Sequence, residues 1–165
     1  MTAATGSTGP GRIVVGIDGS TTSCAALRWA VRQAALTGQA VHAVLAWRVP
    51  FATSAFAVTG IDWEGRARAL LDRSIRTVLD GDETAPLSRQ VVEGHPVTVL
   101  LEAARDAELL VVGCRGQGAF AGMLLGSVSQ AVAEHAACPV LVVHEHNPSA
   151  GNGEGLPNAR HQDGR

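Results

Sequence analysis

The chain predicts one doubly wound α/β domain: a five-stranded parallel sheet with helices on both faces. Strand-like and helix-like segments alternate from residue 12 to residue 146. Several strand runs, such as IVV and LLVV, are continuously apolar, which marks strands covered on both faces. Turn and cap residues separate the segments, and no internal repeat or second domain is visible. The length of 165 residues suits one domain with a sizeable core.

The first strand is RIVVGI (12–17), closed by DGS, a turn and helix-cap signal. A helix follows over 23–36, with Leu27, Ala30, Val31, Ala34 and Ala35 on its apolar face and Gly38 as its stop. AVHAVLAW (40–47) is the second strand, and 50–61 is a loop of small residues. The second helix repeats apolar or small residues at three and four: Ala67, Leu70, Leu71, Ser74, Ile75, Val78 and Leu79. LSRQVVE (87–93) is the third strand. Gly94-His95-Pro96 opens the third helix, with Pro96 in its first turn and Val97, Leu100, Leu101 and Ala104 inward. ELLVVG (108–113) is the fourth strand. Gly126-Ser127 starts the fourth helix, with Val128, Ala131 and Val132 toward the core, and PVLVVH (139–144) is the last strand. Residues 1–11 and 147–165 are small, polar and Gly/Pro-containing, and are expected to be disordered tails.

Composition narrows the function. Hydrophobic residues make up 46% and charged residues 17%, with a net charge of −2, so no basic footprint points to nucleic acid or an anionic membrane. Apolar runs are too short for a transmembrane helix, and the first residues lack a basic n-region and apolar h-region. Cys24, Cys114 and Cys138 form neither a disulfide framework nor a zinc pattern, so a reducing cytoplasm is the expected compartment. No metal site is expected. His144-Glu145-His146 reads as a solvated strand end rather than a ligand set, and His135 as a partner of its helix C-terminus.

Chemistry concentrates in GCRGQGAFAGMLLGSVSQ (113–130), which carries five glycines. Glycine costs stability unless the backbone needs positive φ or close approach. This loop leaves the carboxyl end of the fourth strand and the DGS turn leaves that of the first. In open parallel sheets ligands bind at such ends. The loop ends at a helix start, where unpaired N–H groups and the helix dipole favour an anion, most often phosphate. Gly113, Gly116 and Gly126 let the backbone wrap, Ser127 and Ser129 can donate, and Arg115 supplies a cation. Each charge-assisted bond contributes about 1.5–3 kcal/mol. The bland alternative is a loop that only packs tightly, with serine as a helix cap.

A Walker A loop is excluded, because Ala119-Phe120 follow Gly118 and the chain has no lysine. Gly116-x-Gly118-x-x-Ala121 matches the dinucleotide pattern but follows the wrong strand and lacks the later acidic residue. What remains is G-x2-G-x9-G-[ST] at Gly113, Gly116, Gly126 and Ser127.

With IVVGIDGS (13–20), VVEGHP (91–96), LLVVGCRGQGAFAGMLLGSVSQAV (109–132) and HAACPVLVVH (135–144), the chain resembles the universal stress proteins of the ATP-binding type over about 12–145. That resemblance implies a Rossmann-like sheet of order 3-2-1-4-5 and a homodimer. It implies that Asp18 approaches ribose or adenine, that Gly16 lines the pocket, and that Trp47, with Ala46 beside it, contacts adenine. The loop Gly113, Cys114, Arg115, Gly116, Gln117, Gly118, Ala119 and the helix start Gly126, Ser127, Val128, Ser129 would then hold ribose and phosphates. Two positions depart from the family pattern: Cys114 stands where serine is common, and Trp47 where a small aliphatic residue is usual. An exposed edge on Pro139 to His144 would be protected by antiparallel pairing with a second chain. The implied ligand is ATP with Mg²⁺, with cyclic AMP or AMP as alternatives. No catalytic residues are assigned, since there is no lysine and no nucleophile beside a base. A nucleotide-regulated stress protein is the first reading. A slow ATPase, a monophosphate sensor and a dimeric interaction module with a vestigial pocket are the others.

Overall fold

The computed structural model describes residues 11–49, 60–80, 86–116 and 125–144. The chain runs β1 (Arg12–Gly16), α1 (Thr21–Thr37), β2 (Ala40–Trp47), α2 (Trp63–Leu79), β3 (Leu87–Glu93), α3 (Pro96–Ala103), β4 (Leu109–Gly113), α4 (Ser127–His135) and β5 (Val140–Val143). The strands form one sheet of order β3-β2-β1-β4-β5, and every neighbouring pair is parallel. The chain therefore winds outward from β1 to β3, then crosses back to β4 on the other side of β1. The direction of winding switches between β1 and β4.

Each helix has a local reason to start or stop where it does. Ser20 caps α1 by accepting the Ser23 N–H at 3.2 Å. Gly38 ends α1 in the left-handed region at φ 74°, donating its N–H to the Ala34 carbonyl. Pro96 opens α3, where a missing N–H costs nothing. Asp62 caps α2 by accepting the Gly65 N–H at 2.7 Å. Asp62→Ala is expected to cost about 1 kcal/mol, read as a lower midpoint in urea with an unchanged slope.

Two apolar layers hold the sheet. Helices α1 and α2 cover one face through Ile13, Val15, Leu27, Val31, Leu45, Leu71 and Ile75. Helices α3 and α4 cover the other through Val14, Val44, Val99, Leu100, Leu110 and Val132. Alternate residues of a strand serve opposite layers, as the two-residue period of a pleated strand requires. A buried leucine such as Leu110 stabilises the fold by about 1.5–3 kcal/mol.

The expected helical faces need two corrections. Ala35 is exposed, because the buried stripe of α1 runs through 23, 26, 27, 30, 31 and 34 and Ala35 lies a further 100° around the helix. On α3, Val99 is a buried residue that was not expected; Leu100 is buried as expected, as is Ala104 at the C-cap, and Val97 and Leu101 pack against the same layer. β3 is an edge strand, with Ser88, Arg89 and Gln90 exposed. β5 is the other edge, and all four of its residues are half-buried. No helix among the described residues is long and apolar enough to cross a membrane.

Candidate functional site

A cleft of about 580 Å³ opens at the carboxyl ends of the strands, at the switch point between β1 and β4. That is the position where open α/β sheets bind ligands, and the volume lies in the range of small-molecule sites. Its floor is Gly16, Ile17 and Asp18 after β1, and Val112 and Gly113 at the end of β4. Val44 and Ala46 of β2, with Pro96 and Leu100 of α3, form an apolar wall. Ser20 at the cap of α1 and Ser23 in its first turn, Arg115 and Gly116, and Gly126 to Ser129 at the start of α4 form the polar side. The cleft is thus divided into an apolar part and a part rich in backbone donors and hydroxyls.

The polar side is built from three strand and helix ends. Asp18 anchors the first: its Oδ1 accepts the Ser20 N–H at 3.0 Å and the Ser20 hydroxyl at 2.6 Å. Gly116 faces it from the second. A Cβ at Gly116 would stand 2.5 Å from Asp18 Oδ2, so only glycine lets this carboxylate lie against the loop. The third is the start of α4. Its N-cap is Gly126, with no side-chain cap bond, so the first-turn N–H groups are left without a side-chain acceptor at their cap. The dipole of α4 adds a partial positive charge at the same place.

Of the residues singled out in the sequence, Gly16, Asp18, Ala46, Gly113, Arg115, Gly116, Gly126, Ser127, Val128 and Ser129 come together around this cleft. Gln117, Gly118 and Ala119 lie outside the described residues. So do Glu145 and His146, leaving His144 as the described part of that motif. Among the described residues no group of three metal-ligating side chains comes together.

The structure places three residues differently from the simplest expectation. Trp47 is not among the described residues of the cleft lining. It packs against the α1/α2 layer, whereas its neighbour Ala46 belongs to the α3/α4 layer. Consecutive strand residues face opposite sides, so a pocket that takes Ala46 turns Trp47 away. Cys114 is 2% exposed and contributes its backbone: its carbonyl accepts the Gly126 N–H at 2.7 Å and the Ser129 hydroxyl at 3.0 Å. A buried thiol of this kind is structural rather than reactive. Burial also pushes the Cys138 thiol above its ordinary pKa, which lowers its nucleophilicity at neutral pH. Ser129 donates its hydroxyl to the Cys114 and Gly126 carbonyls, so it braces the loop and has no spare proton for a ligand.

Some lining residues were not anticipated. Ser20 and Ser23 were within reach, since the DGS turn already marked this corner. Val44 shares a strand face with Ala46 and could have been found by stepping back two residues. Pro96 and Leu100 left no local signal, because only packing brings α3 over this end of the sheet. Gly16 explains itself here: a Cβ would stand 3.0 Å from Leu100 Cδ1, so glycine lets α3 lie close to β1.

The fold and the cleft define a doubly wound α/β domain with an open cleft at its switch point. The comparisons with known proteins then place it: residues 10–144 match the model of the universal stress protein family, and the chain belongs to that family. It is 34% identical over 142 residues to the universal stress protein Rv2623 of Mycobacterium tuberculosis, covering 82% of this chain and 48% of that protein. A universal stress protein of Mycolicibacterium smegmatis is 37% identical over 131 residues, covering 79% of this chain and 45% of that protein. The chain thus spans about half the length of the curated relatives it matches. Among solved structures, a universal stress protein in complex with cAMP superposes with a TM-score of 0.61 at 31% identity, covering 81% of this chain and 96% of that one.

Proposed function

We propose that this chain is an adenine-nucleotide-binding universal stress protein that acts as a nucleotide-responsive regulator. The observation that carries this reading is the divided cleft at the switch point, with an uncapped helix N-terminus at its polar side. An adenine ring suits the apolar wall of Val44, Ala46, Pro96 and Leu100. The Asp18 carboxylate stands where it would accept from ribose hydroxyls. Phosphate would sit on the backbone of Gly116 and the first turn of α4, with Ser127 and Arg115 at the rim.

ATP with Mg²⁺ is the first ligand of this reading, the metal being held chiefly by phosphate oxygens. Cyclic AMP is the second, favoured by the relative solved with that ligand. Asp18 is the single carboxylate among the described lining residues, and the hydroxyl beside it, that of Ser20, is occupied as the cap of α1, so the described lining holds no second carboxylate to drive rapid hydrolysis. Signalling through occupancy fits such a site better than turnover. We also place the protein in the cytoplasm, in keeping with three unpaired cysteines, and as a homodimer through the outer edge of β5.

Calorimetric titration of nucleotide-stripped protein tests the reading. ATP with Mg²⁺, cyclic AMP and AMP are added in turn to the wild type and to Gly116→Ala. Micromolar binding is expected for at least one nucleotide. The added methyl must push the Asp18 carboxylate aside, so affinity should fall about tenfold or more in the variant, by loss of one charge-assisted contact. Absence of heat with all three nucleotides would refute nucleotide binding and leave an interaction module. The order of the affinities decides between ATP and cyclic AMP.

A further inference from the structure

The geometry points to Thr22 as a positioning residue for the anion end of the cleft, although it does not line the cleft itself. The inference rests on the nucleotide reading above and adds a residue that holds the phosphate-binding backbone in shape.

Thr22 lies in the first turn of α1 and is 7% exposed. Its hydroxyl donates to the Arg115 carbonyl, 93 residues away in sequence, while the Ser20 hydroxyl reaches the same oxygen only at 3.4 Å. The preceding carbonyl, that of Cys114, is held from the opposite side by the Gly126 N–H and the Ser129 hydroxyl of α4. Two consecutive carbonyls are therefore turned onto protein donors, one on α1 and one on α4.

This matters for an anion in two ways. A carbonyl oxygen is the negative end of the peptide dipole, and one facing a phosphate would repel it. Moreover, the peptide between Arg115 and Gly116 is trans, so fixing its C=O on α1 turns the Gly116 N–H away from α1. Gly116 lines the cleft. The Thr22 hydroxyl thus selects the peptide orientation that presents a donor rather than an acceptor to the ligand. Without that bond the peptide can rotate, because glycine at 116 imposes little restraint of its own. The close seat of Gly113 on Thr22 leaves the turn no room to slide, so rotation of the peptide is the freedom that remains.

Thr22→Val keeps the shape and removes the donor; Thr22→Ser keeps the donor. Wild type and both variants are titrated with AMP and, by nuclear magnetic resonance, with adenosine. The Gly116 amide nitrogen shift, which responds to hydrogen bonding at the preceding Arg115 carbonyl, is followed in the ligand-free proteins. Thr22→Val is expected to lose about tenfold in AMP affinity, as befits one charge-assisted contact, with adenosine affinity and thermal midpoint little changed. The Gly116 nitrogen shift should move in Thr22→Val, because the preceding carbonyl loses its donor, and Thr22→Ser should restore both readouts. Equal AMP affinity in all three proteins overturns the proposal, as does a parallel loss of adenosine affinity, which would mean general damage to the cleft. If the wild type binds none of ATP, cyclic AMP and AMP, the nucleotide reading itself falls. The Gly116 nitrogen shift then decides whether Thr22 holds the peptide at all, and an unchanged shift refutes that too.

Discussion

Gly113→Ala is expected to lower stability by about 3 kcal/mol, at the upper end of the usual cost of overpacking a well-filled interior. Gly113 ends β4 and lies directly on the first turn of α1. A Cβ there would stand 2.5 Å from Thr22 Oγ1, 2.7 Å from the Thr22 carbonyl carbon and 2.8 Å from the Ser23 nitrogen. Two of those three atoms are backbone, so no rotamer change relieves the overlap. Either α1 shifts or β4 does, and each move disturbs contacts in a buried layer that contains Ile13, Leu27 and Val111. The contrast with Gly116 is informative. There the overlap is with the end of the Asp18 side chain, which can turn away. Gly116→Ala should therefore fold normally and bind poorly, whereas Gly113→Ala should fold poorly. Urea unfolding followed by circular dichroism separates the two. A Gly113→Ala protein within about 0.5 kcal/mol of wild type would contradict the close seat of β4 on α1, since that is the ordinary range of surface substitutions.

Ser127→Asp is expected to move stability and binding in opposite directions. Ser127 is the first residue of α4, exposed, and at the polar rim of the cleft. A carboxylate in the first turn complements the helix dipole and should stabilise the fold by about 0.3–1 kcal/mol. The first turn of α4 has no acidic residue, so nothing already offsets that dipole. The same negative charge competes with a bound phosphate for the same N–H groups and repels it. Nucleotide affinity should fall by about tenfold or more, the loss of one charge-assisted interaction or its reversal into repulsion. Thermal melting and AMP titration of one purified variant read both effects. Higher melting with unchanged AMP affinity would move the phosphate away from α4 and transfer the anion site to some other part of the cleft. Lower melting would show instead that the serine is needed for the fold.

The order of strands and helices was legible in the sequence because hydrophobic periodicity is a local property. Continuous apolar runs at IVV and LLVV can be satisfied only by strands covered on both faces. The three-and-four repeat from Ala67 to Leu79 can be satisfied only by a helix on one face of such a sheet. The glycine loop and the helix start at Ser127 were likewise visible, since glycine spacing and cap residues act within a few positions of themselves. The side to which Trp47 turns was also implicit, because Ala46 and Trp47 cannot share a sheet face.

The tertiary structure alone decided which groups meet across long separations. Nothing near Thr22 announces that its hydroxyl belongs to the carbonyl of Arg115, or that Gly113 must be small because of α1 rather than because of a ligand. Nor does the third helix reveal locally that Pro96 and Leu100 become the wall of the cleft. These pairings depend on where the sheet reverses its winding, and that is settled by the burial of both faces at once. A sequence declares what each segment must bury. Only the packed sheet decides which segments bury it together, and the site is made of those junctions.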